Sequence, residues 1–254
     1  MKRFPSEFAE LLNRRGRSIL DHGNSDGDHA FHKQPTPLAL LTGIMDAGTA
    51  HACRELIDGT LYSHVRRVDS PIPREAMSGM KKNYQEKLPK TLRFKTAYFA
   101  SRTSHAYKAA SGIGLFKMMK SESLAQFAEA VTGLHLKRNP SVQAILYEPG
   151  DYAGPHNDHH PENEDLRDGY VDLHISLTND GVAGQYLVCE ESGHFSKMYS
   201  VSKNGSVAVY RLPFWHYTTP LAAKMRREKE ARRWLLLASF YIDRKNGKPV
   251  RISV

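Results

Sequence analysis

Three side chains in this 254-residue chain have types and spacing suited to holding a metal: His156, Asp158 and His216. The first two lie in the stretch YEPGDYAGPHNDHH, residues 147–160. On an extended segment, side chains at i and i+2 leave the same face. The His156 imidazole and the Asp158 carboxylate can therefore meet at one ion. His216 follows sixty residues later, at the start of a further predicted strand. Two imidazoles and one carboxylate on one face of an octahedron leave three positions open, which suits Fe(II) and dioxygen. His-x-Asp alone is a weak signal. Zinc accepts the same ligands, and a His-rich polar loop would read the same way.

The elements around these residues sharpen the reading. After residue 140 the hydrophobic period is two. Tyr170–Thr178 alternates strictly, with Val171, Leu173, Ile175 and Leu177 on one face. Tyr170, Asp172, His174, Ser176 and Thr178 occupy the other, of which His174, Ser176 and Thr178 are candidates to line a barrel interior. Asn179-Asp180-Gly181 is a turn signal. Further strands are predicted over 142–147, 185–190, 206–212, 216–220 and 234–242. The last, WLLLASFYI, is apolar on both faces and belongs in the middle of the sheet. Before residue 140 the period is helical. Phe8, Leu11, Leu12 and Ile19 recur at helical spacing, and helices are predicted over 47–61 and 122–132, the latter ended by Gly133. Many short strands preceded by helices predict a mainly β fold with α: a barrel of residues 140–245, buttressed by a mainly helical segment, 1–139, within one domain.

Composition bounds the partners. Lys and Arg number 36 against 27 Asp and Glu, a formal charge of +9. The excess favours anionic partners, but it is scattered apart from 224–233. No basic helix with base-reading spacing and no aromatic RNA-binding motif is present, so nucleic acid is not favoured. The two cysteines, Cys53 and Cys189, form no CxxC. The first residues lack the apolar core of a secretion signal, and the longest apolar run, 234–242, is too short to span a membrane. A cytoplasmic protein is expected. No GxSxG elbow, GxGxxG or Walker loop is present.

Taken in order, the motifs resemble the Fe(II)- and 2-oxoglutarate-dependent dioxygenases, especially the prolyl-4-hydroxylase-like branch. Tyr147 and Gly150 match its Tyr-x-x-Gly, and His156 and Asp158 its His-x-Asp. LHISLTNDGVAGQYLV follows, with Ala183 where that branch has a glycine. The strand led by Gly205, the distal His216 and an arginine opening the last strand complete the pattern. The resemblance covers residues 140–242 and implies a double-stranded β-helix, a jelly-roll of the cupin kind. It implies Fe(II) on His156, Asp158 and His216, with 2-oxoglutarate as cosubstrate and O2 as oxidant.

The cosubstrate's far carboxylate needs a buried guanidinium, which forms two parallel charge-assisted hydrogen bonds. Arg226 has the family's spacing from the distal histidine. Arg232 and Arg233 have its structural place, and Arg233 is preferred. The run between reads as a solvated hairpin extension with i,i+4 charge pairs. Tyr147 is either a cosubstrate contact or a core aromatic. His174 is a core histidine or a pocket contact, Trp215 a packing residue, and His159 and His160 part of a covering loop. The mouth is expected from the 157–170 loop and N-terminal segments, including 102–107. The Tyr-x-x-Gly lead and the arginine strand argue against a zinc hydrolase. Asp158 argues against halogenation, since similar halogenases lack that carboxylate. A small-molecule substrate is expected, with a nucleic-acid- or protein-modifying oxygenase and a non-catalytic binding barrel as the alternatives.

Overall fold

A computed structural model describes residues 1–23, 37–77, 89–158 and 169–243. Its strands are β1 (Leu38–Leu41), β2 (Val65–Pro71), β3 (Thr91–Ala97), β4 (Ser141–Tyr147), β5 (Tyr152–His156), β6 (Tyr170–Thr178), β7 (Val182–Gly184), β8 (Tyr186–Glu191), β9 (His194–Ser200), β10 (Ser206–Leu212), β11 (His216–Thr218), β12 (Ala222–Ala223) and β13 (Arg233–Tyr241). Its helices are α1 (Arg14–His22), α2 (Ala47–Leu61), α3 (His105–Gly112), α4 (Leu115–Met119) and α5 (Glu122–Thr132).

The main sheet runs β1-β10-β6-β13-β4-β3-β5-β11-β8-β9, every pairing antiparallel, with β2 on β3 and a separate β7–β12 pair. It folds over on itself at β3. Residues 95–97 of that strand pair with β4, whereas Leu92 and Arg93 pair with β5. The two halves thus face each other as a nearly closed jelly-roll barrel, the mainly β architecture expected. β13 is central, hydrogen-bonded to β6 on one side and β4 on the other.

Period two decides what each strand faces. Trp234, Leu236, Ala238 and Phe240 of β13 join Val171, Leu173, Ile175 and Leu177 of β6 in one core. The helices pack onto that face: Cys53 and Ile57 of α2, and Leu124, Phe127, Ala128 and Val131 of α5 belong to the same cluster. α5 is capped by Ser121, whose hydroxyl also accepts from the Phe8 amide at 3.1 Å. That bond ties the helix to the N-terminal turn. The first helical signal is broken: a 3-10 turn at Phe8–Leu11 ends before Asn13 caps α1.

Two expectations need correction. The segment 1–139 also supplies β1, β2 and β3, so it extends the sheet as well as buttressing it. The 224–232 run, expected as a solvated hairpin extension with i,i+4 charge pairs, forms turns exposed over 224–230, with Arg226 at φ +64. Among the described residues its internal ion pair is Arg227–Glu230, at i,i+3, not one of the i,i+4 pairs expected. No helix among the described residues is long and apolar enough to cross a membrane.

Trp234 shows how the layers lock. It is fully buried, and its indole N–H donates to Asp58 Oδ1 of α2 at 2.9 Å. Trp234→Ala leaves a large cavity and should lower unfolding free energy by about 3–5 kcal/mol in urea denaturation. Trp234→Phe, which keeps most of the packing, should cost clearly less. Equal losses would mean that the hydrogen bond, not the packing, holds this contact.

Candidate active site

The turn after β4 fixes where β5 begins. Gly150 has φ +84, a conformation open to glycine. The Asp151 carboxylate accepts from the Glu148 amide at 2.9 Å and from Arg67 at 2.8 Å. This closed turn carries the chain from one half of the sheet to the other. β5 then lies against β3 so closely that a Cβ on Gly154 would sit 1.9 Å from the Pro89 carbonyl oxygen.

His156 ends β5 directly opposite His216 of β11. Cross-strand partners share a face, and the two rings stand 4.4 Å apart between centroids. Each ring is fixed by its other nitrogen. His156 Nδ1 lies 2.6 Å from the Gly154 carbonyl, and His216 Nδ1 lies 2.9 Å from the Phe214 carbonyl. A carbonyl only accepts, so Nδ1 carries the hydrogen on both rings. Both Nε2 lone pairs are then directed into the cavity in the neutral state.

Asp158 reaches them in a way the sequence pattern did not foresee. It lies beyond β5 with φ +52, so the His-x-Asp segment is not extended throughout. A left-handed bend, which aspartate tolerates, returns the carboxylate toward the rings. The Asn157 amide donates to the Ala76 carbonyl at 3.0 Å, and the Tyr170 hydroxyl to the Asp158 carbonyl at 3.2 Å. Asp158 Oδ2 is 3.4 Å from His156 Nε2 and 3.5 Å from His216 Nε2. Both lie at the long end of hydrogen-bond distances. One donor atom from each residue lies within 4.8 Å of the other two. Three ligand atoms gathered around a common point fit a cation.

Burial and the adjacent His156 hold His216 down at about 4. Burial also lowers His156, but Asp158 and the Gly154 carbonyl outweigh it, and the net shift is upward. The rings therefore release their protons far apart.

These residues open into a cavity of about 830 Å³ inside the barrel. Arg233 lines it, 3% exposed, with no acidic partner among the described residues. Its guanidinium donates to Ser176 Oγ at 2.9 and 3.2 Å, to Gln185 Oε1 at 3.0 Å and to the Val201 carbonyl at 3.0 Å. Burial pulls it down to about 10. Tyr147 pairs with it across β4 and β13 and stacks at 5.4 Å, its own hydroxyl pushed up to about 12 by burial.

Of the other arginine candidates, Arg232 points away from the cavity to pair with Asp58 at 2.9 Å over the Tyr62 ring, and Arg226 is exposed. His174 lines the cavity, bonded to Tyr210 at 2.9 Å, and Ser176 holds Arg233. Thr178 and Trp215 do not line it, and His159 and His160 lie outside the described residues. Nor do residues 102–107, whose Ala106 packs in the helical core; Ile72, Pro73, Glu75 and Ala76 take that place at the mouth. Gln185 was missed. Its place just after β7 gave no cue, yet it is fully buried and its amide donates to the Asp151 and Thr219 carbonyls.

No protein-family model matches the sequence, and no curated protein sequence matches it significantly. Solved structures similar to the chain include a Pseudomonas putida prolyl-4-hydroxylase (12% identity over 92% of this chain and 98% of that one, TM-score 0.47). Another is a 2OG-Fe(II) oxygenase family oxidoreductase from Burkholderia pseudomallei (13%, 95% and 93%, TM-score 0.49). A third is the non-heme alpha ketoglutarate dependent epimerase SnoN from nogalamycin biosynthesis (14%, 84% and 81%, TM-score 0.48).

Metal binding must displace protons, which sets a pH dependence. His156, raised above the ordinary 6.5, competes first: Co(II) affinity should be complete above its folded pKa and fall about tenfold per pH unit below it, one proton being displaced. A second proton enters only near pH 4, with His216. A two-proton slope already at neutral pH would contradict this ordering. Gly154→Ala should weaken Co(II) binding by forcing β5 off β3 and moving His156; unchanged affinity would show that this close approach does not set the ligand geometry.

Proposed function

We propose that the chain is an Fe(II)- and 2-oxoglutarate-dependent oxygenase that hydroxylates a C–H bond of a small molecule, such as an amino acid or another metabolite. The observation that carries this is one cavity holding both a His-Asp-His ligand set and a buried arginine that no carboxylate among the described residues neutralises. A zinc site would accept the triad, but it gives no role to a desolvated guanidinium in the same chamber.

His156, Asp158 and His216 would hold the iron by two imidazole nitrogens and one carboxylate oxygen. When bound, the iron and its cosubstrate supply oxidising power: dioxygen is consumed, 2-oxoglutarate becomes succinate and CO2, and one oxygen atom is delivered to a C–H bond. Arg233 binds the cosubstrate's far carboxylate, since an anion there repays the cost of burying the cation. Ser176 and Gln185 keep the guanidinium fork in place before the ligand arrives. Tyr147 covers the same end. Ile145, Leu235 and Leu237 line the wall between and keep water from the reacting groups. Asp158 occupies the ligand position that halogenation would need vacant.

Anaerobic addition of Fe(II) and 2-oxoglutarate should produce a weak visible charge-transfer band, lost in His156→Ala, Asp158→Ala and His216→Ala. Arg233→Gln should keep metal binding and raise the KM for 2-oxoglutarate about hundredfold, the loss expected on removing one partner of a buried charged pair. No band, or a cosubstrate affinity indifferent to Arg233, would remove this reading. The small-molecule assignment expects substrate affinity nearly flat in salt, whereas a nucleic-acid substrate would give a steep fall.

A further inference from the structure

The triad and Arg233 leave one wall of the cavity unexplained. Ser141 of β4, Ser239 of β13, Asp172 of β6 and Tyr210 of β10 are direct cross-strand neighbours in sequence across the sheet. All four line the cavity. The row grades from solvent to interior: Ser141 is exposed, Ser239 half-buried, Asp172 and Tyr210 buried. The next row deeper is more apolar, with Leu237 and Ala208 flanking His174.

Asp172 is the anomaly in this row. It is a carboxylic acid in mid-sheet, 5% exposed. Its Oδ1 has no hydrogen-bond partner among the described residues. No lysine or arginine among them pairs with it; its neighbour is His174, whose Nε2 lies 3.7 Å from Oδ2. Leaving a buried oxygen unsatisfied is costly, and nothing in the packing needs a carboxyl there. Burial shifts its pKa upward against the pull of His174 and Ser239, the signature of a charge that lacks a counterion.

We propose that Asp172 is the specificity-determining residue of the substrate pocket, and that its carboxylate receives a protonated amine of a small molecule entering along the Ser141–Ser239 row. The terminal torsion of an aspartate is broad and two-fold, so either oxygen turns to the cavity while the other stays near His174. His174, fixed by Tyr210, positions the carboxylate from behind. The site is separate from the cosubstrate anchor. Ser239 lies six residues along β13 from Arg233, roughly 20 Å at the rise of a strand, so an anion at one end and a cation at the other do not compete. The chain's positive charge does not forbid this: exposed charges are screened beyond about 10 Å, whereas Asp172 acts inside a low-dielectric chamber.

That the bound amine is the molecule oxidised rests on the oxygenase reading; that it binds does not. Calorimetric titration of the full chain, both metal-free and with Zn(II) and 2-oxoglutarate, separates the two. The probes are the twenty free amino acids and 1,4-diaminobutane, each beside its N-acetyl counterpart. At least one free amine should bind, with its acetylated form tenfold weaker or worse. Asp172→Asn should weaken that amine at least tenfold with little change in 2-oxoglutarate affinity or Tm, and Ser239→Ala should weaken it less. A merely structural Asp172 would instead lower Tm and cosubstrate affinity together with amine affinity. That result overturns the proposal, as does a panel in which no free amine outbinds its acetylated form. Asp172-dependent amine binding without succinate release under Fe(II) would sustain it while removing the oxygenase reading. Succinate release stimulated equally by free and acetylated forms would do the reverse.

Discussion

The antiparallel pairing that sets His156 opposite His216 constrains most of the structure. β5 and β11 are short, and neither would hold register alone, since isolated pairs of strands are marginal in water. β11 is therefore paired on its other side by β8, and β5 by the bent strand β3. A slip of one residue would turn both imidazoles out of the barrel. The guards against that slip are local: the closed Glu148–Asp151 turn ahead of β5, the tight approach of Gly154 to residue 89, and the Asn157–Ala76 bond behind it. Each fixes the backbone within a few residues of a candidate ligand.

Arg233 poses the complementary problem. Desolvating a guanidinium is expensive, and neutral partners repay only part of it. Its fork is satisfied by a hydroxyl, an amide oxygen and a backbone carbonyl, while Gln185 is in turn held by two backbone carbonyls. A fold selected for stability alone would place an apolar residue here, as the neighbouring positions Leu235 and Leu237 do. The chain instead keeps a preorganised, uncompensated cation, which is what recognition of a carboxylate requires.

How far the sequence disclosed this depended on whether period or context decides. β6 was legible because strict alternation over nine residues has few other readings, and β10 and β13 because short apolar runs bounded by turn residues mark buried strands. α2 and α5 were legible because long apolar stripes with caps are helix signals. β5 was not, since YAGPH carries a glycine and a proline, and its strand state comes from β3 and β11. β2 carries little apolar signal because it lies at the edge of the path. The 224–232 run has helix-forming residues and i,i+4 pairs, but so short a helix is marginal alone. Tertiary bonds to Asn179, whose side chain accepts from the Arg232 amide and donates to the Glu230 carbonyl, favour turns instead. The candidate ligands were readable from His-x-Asp and a distal histidine. The bend at Asp158, which brings the carboxylate to the rings, was not, because it depends on residues 76 and 170.

Asp172 was in plain view on the polar side of β6's alternation, yet alternation alone assigns no cost to it. The cost appears only with burial and an unpaired oxygen. The same is true of Arg233, whose importance follows from what does not surround it. Groups that complete the fold find their partners within it: Asp58 with Trp234 and Arg232, Asp151 with Arg67. Among the described residues, Arg233 has no acidic partner and Asp172 no basic one beyond His174, and they lie well apart along the same sheet in one cavity, with the candidate metal ligands in its wall. An ionised Asp172 would set a negative charge against the Arg233 cation and make the chamber polar along its length. Under the proposal for Asp172, ligands entering it would be sorted by charge before any contact with the candidate metal-binding side chains.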